Sequence, residues 1–123
     1  MNNMFSYSIL NNIIIFNFVG NITINNFKQY CETINNIYSI KKDMYLIYNL
    51  KKASIPLYLL PNQVNHMIKC KEDTLKYVKA SSIIVNNKVY YLISLLFSII
   101  KPKHPNKITK SFKKAFKFIN SIK

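Results

Sequence analysis

Three short runs of β-branched and aromatic residues alternate with segments of helical period, and this alternation limits the fold more than any other feature of the chain. The runs are Ile13–Val19, Met44–Leu50 and Ala80–Val85. After the first, Phe27, Tyr30, Cys31, Ile34, Ile37 and Tyr38 recur at helical spacing, with Lys28, Gln29, Glu32, Asn35 and Asn36 between them. That is an amphipathic helix packed on one face. Thr23 to Asn26 offers its N-cap, and Lys41-Lys42-Asp43 breaks it. Strands alternating with helices build an α/β sheet with parallel crossovers.

The remaining segments fit the same scheme. Residues 1–27 carry no charged side chain. Met4–Leu10 alternates loosely, Asn11-Asn12 is a turn dipeptide that tolerates positive φ, and Gly20 closes the Ile13 run. Together they predict an antiparallel hairpin. A helix is expected from near Pro61 to Lys71, with Val64, Met67 and Ile68 inward, and Asp73 caps a short turn through Tyr77. After the turn Asn86-Asn87, Lys88–Ile100 reads as a helix buried on most sides. Lys101–Asn106 is a proline-bounded loop, and Lys107–Thr109 is a short last strand. Ser111 caps a final helix with Phe112, Ala115, Phe116, Ile119 and Ile122 on one face, and Lys110, Lys113, Lys114 and Lys117 line the other. The expected fold is one α/β domain over residues 1–123, with a single mixed, mostly parallel sheet. Its order is β-β-α-β-α-β-α-β-α.

The charge is one-sided. All 18 basic residues are lysine, against four acids, for a formal charge of +14. Asparagine and isoleucine are inflated too, the mark of an AT-biased genome in which lysine drifts in for arginine. Drift does not explain why no acid follows Asp73 while eight lysines fall in residues 101–123. Such a surface attracts polyanions: nucleic acid, anionic lipid or an acidic protein. Lysine without arginine lacks the planar fork that reads guanine, so any nucleic-acid binding would be sequence-blind.

Catalytic and cofactor motifs are scarce. One glycine in the chain excludes the glycine-rich phosphate cradles of the common nucleotide enzymes. The acids Glu32, Asp43, Glu72 and Asp73 read as solvated. His66 and Cys70 share a helix face at i, i+4, but no third ligand or orienting acid stands near them in sequence. His104, between prolines, reads as an exposed loop residue. Tyr77, Tyr90 and Tyr91 read as core or rim residues, and Tyr45 and Tyr48 as poor stacking platforms on a central strand. Cys31 and Cys70 read as reduced thiols of a cytoplasmic protein. No catalytic, cofactor or metal set is expected. The N-terminus lacks the basic region and cleavage site of a signal peptide. The longest apolar stretch, Val89–Ile100, has about 12 residues where a spanning helix needs roughly 20.

Several segments resemble the STAS-like fold of anti-sigma-factor antagonists, SpoIIAA-like proteins and sulfate-transporter tails, over roughly residues 4–122. "VGNIT" looks like the family's strand–glycine–turn–helix entry, "MYLIYNL" its apolar strand and "KASSIIV" its fourth strand. "KPKHPNKITKSFKKAFKFI" is similar to its proline loop, last strand and capped helix. The resemblance implies a regulatory module that docks on protein through the segment after the third strand. It would place partner contacts at Lys51, Lys52, Ser54 and Asn62. The antagonists carry an Asp-Ser-Ser-Gly type turn there, whose serine is phosphorylated. This chain reads "NLKKASIPLYLL": Asn49 replaces the acid, Ser54 is the sole hydroxyl near the right place, and no glycine follows. Ser54 is thus either a phospho-site or a loop serine capping the next helix. Against the docking module stand two other readings, a basic nucleic-acid binder and a peripheral membrane protein using the last helix. The last is disfavoured, because a domain this small needs that apolar helix face for its core. The partner is expected to be acidic, and a homodimer stays open.

Overall fold

The computed structural model describes residues 3–123. Five strands form one sheet in chain order: β1 (Met4–Leu10), β2 (Ile13–Asn21), β3 (Met44–Ser54), β4 (Val78–Ile84) and β5 (Asn106–Thr109). β1 and β2 pair antiparallel, and the other neighbours pair in parallel. Asn11 takes a φ of 56° in the hairpin turn, as an Asn-Asn turn allows. α1 (Ile24–Tyr38) joins β2 to β3, α2 (Leu60–Lys69) and α3 (Lys71–Tyr77) join β3 to β4, and α4 (Asn87–Ile99) joins β4 to β5. A short 3-10 turn at Leu57–Leu59 precedes α2, and α5 (Phe112–Ile122) closes the chain.

The two layers follow from the strand order. Each parallel crossover steps one strand in the same direction, so right-handed connections put α1 to α4 on one face. α5 has no later strand to reach and covers the other. Side chains alternate between faces along each strand. Ile14, Phe16 and Phe18 enter the larger core with Tyr30, Ile34, Ile37 and Val89. Ile13, Ile15, Ile47, Ala80 and Ile84 enter the smaller core with Ala115 and Ile119. The last helix therefore spends the middle of its apolar stripe on the sheet, with Ala115 and Ile119 buried and Phe116 half-buried, while Phe112 and Ile122 at its ends stay exposed, contrary to expectation. Ser111 caps it by accepting from the Lys114 amide, and Thr23 and Asn26 form a reciprocal capping box on α1.

Three expectations are corrected here. α4 is not buried on most sides: Val89, Ile93 and Leu96 are buried, whereas Tyr91 and Ile99 are 74% and 58% exposed. It lies near the free side of its layer, so only one stripe finds a neighbour. Ile68 is 58% exposed, because α2 turns Leu60, Val64 and Met67 toward the sheet, all half-buried, and leaves Ile68 off that stripe. Asp73 caps nothing; it lies in the first turn of α3, whose N-cap is Cys70.

Candidate functional site

β3 runs four residues past its apolar stretch, and this extension builds the region where partner contacts were expected. Its cause is distant in sequence. The Asn86 side-chain amide donates to the carbonyls of Lys51 at 2.9 Å and Ala53 at 3.0 Å, and more loosely to Leu50. Its oxygen accepts from the Val89 amide and so caps α4. One side chain thus starts α4 and pins the end of β3. On the other side Val19, Gly20 and Asn21 pair with Lys52, Ala53 and Ser54, and the Ile22 amide donates to the Ser54 carbonyl at 2.9 Å. Asn49, in place of the family's acid, donates to Asn17 on β2 at 3.1 Å and accepts from the Lys51 amide. Its amide serves the sheet.

Ser54 therefore ends a strand. It is not a loop serine, and it caps no helix: the 3-10 turn starts after Pro56 without a side-chain cap. Ser54, Lys51, Lys52 and Asn62 are exposed. The Lys51 ammonium donates to the Lys110 carbonyl at 2.6 Å, and the Lys110 ammonium reaches Asn87. These two lysines tie β3, α4 and the β5–α5 connection together at the C-terminal end of the parallel strands, a rim we call the β3 edge. Just beyond stand Leu57 and Tyr58, 65% and 66% exposed. The sequence reading did not single out that pair. Their signal was two bulky residues straight after Pro56.

Lys113, Lys114 and Lys117 are exposed on the outer side of α5. The basic face is therefore real, and Lys110 joins it from the preceding connection. Among the described residues one ion pair forms, Lys79 with Asp43 at 3.5 Å, and both side chains are well exposed.

The interior holds polar pairs. Tyr30 and Tyr48 share a buried hydroxyl–hydroxyl hydrogen bond of 2.7 Å, and burial holds both phenols well above their ordinary range. Cys70 Sγ lies 3.7 Å from His66 Nδ1 and 3.6 Å from Asn35 Oδ1. Burial, then the nearby Lys69 charge, lowers His66 to about 4, and burial raises Cys70. The imidazole is thus a poor base and the thiol a poor nucleophile. Cys31 is pushed up to about 11 by burial, and neither cysteine is in a disulfide. No cluster of three metal-ligating side chains occurs among the described residues. His104 is not an exposed loop residue. It is half-buried, bonded through Nε2 to Ser81 Oγ at 2.7 Å, and its pKa is lowered by burial. Among the described residues no helix is long and apolar enough to cross a membrane.

No family model matches the chain, and no curated protein does. Solved structures do. The anti-sigma factor antagonist SpoIIAA in its unphosphorylated form is 11% identical, with a TM-score of 0.68 over 97% of this chain and 100% of that one. An uncharacterized DUF3478 protein with a SpoIIAA-like fold from Shewanella loihica PV-4 is 12% identical, with a TM-score of 0.67 over 94% and 92%. An anti-sigma factor antagonist from Mycobacterium paratuberculosis is 9% identical, with a TM-score of 0.64 over 97% and 95%. The fold is that of the STAS-like, SpoIIAA-like proteins, as the sequence segments suggested.

Proposed function

We propose that this chain is a non-enzymatic, regulatory protein-interaction module of the cytoplasm that docks through the end of β3 and the turn after it. The observation that carries the reading is the exposed Leu57–Tyr58 pair beside Lys51, Lys52 and Ser54 on an edge pinned by Asn86. An exposed tyrosine is among the anchor types enriched at interface hot spots, and Leu57 beside it adds apolar area. The surrounding lysines suit an acidic partner and would speed encounter. The likeness to two anti-sigma factor antagonists points the same way. Phosphorylation of Ser54 would add a charge of about −1.5 to −2 to this edge and repel such a partner.

The second reading is sequence-blind nucleic-acid binding through Lys110, Lys113, Lys114 and Lys117, favoured by their common exposure without acids in the last fifty residues. Capture from host extract separates the two. Docking predicts a protein retained by the wild type, lost with Leu57→Ala/Tyr58→Ala, and kept with Lys113→Glu/Lys114→Glu/Lys117→Glu. Recovery of RNA or DNA with the opposite variant pattern overturns docking in favour of the second reading.

A further inference from the structure

Beneath α2, α3 and α4 lies a cavity of about 610 Å³, between those helices and the sheet. Its size falls within the range of small-molecule sites. The walls are mostly aliphatic and aromatic, from Phe18, Leu46, Ile83 and Leu92 among others, and they include no carboxylate. Ile68, Leu75 and Ile99 belong to the same walls yet are 58%, 46% and 58% exposed, which marks an apolar mouth. Lys71, Lys101 and Lys103 complete the lining as exposed cations.

The polar end is a hydrogen-bonded cluster, and one tautomer of His104 leaves the Ser81 hydroxyl proton paired. Asn106 Nδ2 donates to Ser81 Oγ at 2.6 Å. Ser81 is 3% exposed, and its one hydroxyl proton is left to point at His104 Nε2, 2.7 Å away. Nε2 is then the acceptor, and the imidazole proton sits on Nδ1. Nδ1 is buried and has no hydrogen-bond partner among the described residues. An unpaired buried donor is costly, and it sets this end apart from the apolar walls.

We infer that this cavity is a binding site for a long-chain carboxylic acid, with the alkyl chain among the apolar walls and the carboxylate at the lysines of the mouth. The polar end adjoins β4 and the α4–β5 loop, and the far end reaches Leu50 and Ile55 beneath the proposed docking segment, so the two sites adjoin, but ligand uptake does not require a docked partner. The cavity also reaches Pro56 and Leu59, under the 3-10 turn.

Calorimetric titration of the full chain with palmitate, kept monomeric in solution, tests the assignment. One saturable palmitate per chain is expected, with methyl palmitate about tenfold weaker because it lacks the charged acceptor. Leu92→Trp should abolish uptake by filling the cavity. Lys101→Glu/Lys103→Glu changes only exposed side chains and should weaken uptake about threefold, so the test survives a misfolded tryptophan variant. Absence of saturable binding overturns the site. So does binding of several palmitates per chain that ignores Leu92→Trp, or adsorption to phosphatidylglycerol vesicles without uptake of free palmitate.

Discussion

At the scale of single residues, several buried polar groups are satisfied in pairs, with His104 Nδ1 and Asn12 Oδ1 as exceptions among the described residues. Tyr30 and Tyr48 illustrate the rule. Each hydroxyl is the other's hydrogen-bond partner inside a cluster of stacked and edge-on rings that includes Phe16. Tyr48→Phe should cost about 1–3 kcal/mol because it leaves the Tyr30 hydroxyl buried and unpaired, whereas Tyr30→Phe/Tyr48→Phe should cost less than the sum of its parts. Denaturant unfolding of the four proteins checks this, and additive losses would contradict it. The histidines give a pH signature. His66 falls to about 4 in the folded chain from an ordinary 6.5, and His104 is lowered too. Between those values the unfolded chain binds protons that the folded chain excludes. Stability is therefore fully present above pH 6.5 and is lost as pH falls toward 4. His66→Gln should flatten the decline of Tm over that window; an unchanged slope would refute the assignment.

At the scale of elements, local chemistry was legible and distant chemistry was not. The Asn11 turn, the Thr23 and Ser111 caps and the α5 stripe all depend on neighbours within four residues, and each was readable from the sequence. The end of β3 was not. Lys51, Lys52 and Ser54 have no strand pattern of their own, and their segment is held extended between the end of β2 and Asn86, both more than thirty residues away. The burial of His104 likewise depends on Ser81 across a strand pair. α4 misled for the opposite reason. Its composition is apolar all round, which normally signals a helix enclosed by others, but its layer ends beside it and leaves Tyr91 and Ile99 outside. Asn86→Ala removes a helix cap and leaves the Lys51 and Ala53 carbonyls without their donor. It should cost about 1–3 kcal/mol and speed amide exchange selectively in the Lys51–Ser54 segment. Uniform destabilisation with no local change would show that the clamp does not hold that edge.

At the scale of the whole molecule, two of the surfaces over which the formal charge of +14 is spread bear on the proposed function. One lies along the outside of α5, where lysines alternate with the stripe that α5 buries on the sheet. The other is the β3 edge, where lysines border an exposed aliphatic–aromatic pair. Composition could announce the charge but not this division, since it depends on which strand ends meet at one side of the sheet. A basic face alone is compatible with solvation, and the proposed docking rests instead on the exposed Leu57–Tyr58 pair. The most direct measurement is photo-crosslinking in the native host, with a benzophenone side chain at position 58 or at position 117. The account predicts a discrete protein adduct from position 58 and none of comparable yield from position 117. Nucleic-acid adducts at position 117, with nothing at position 58, would contradict it.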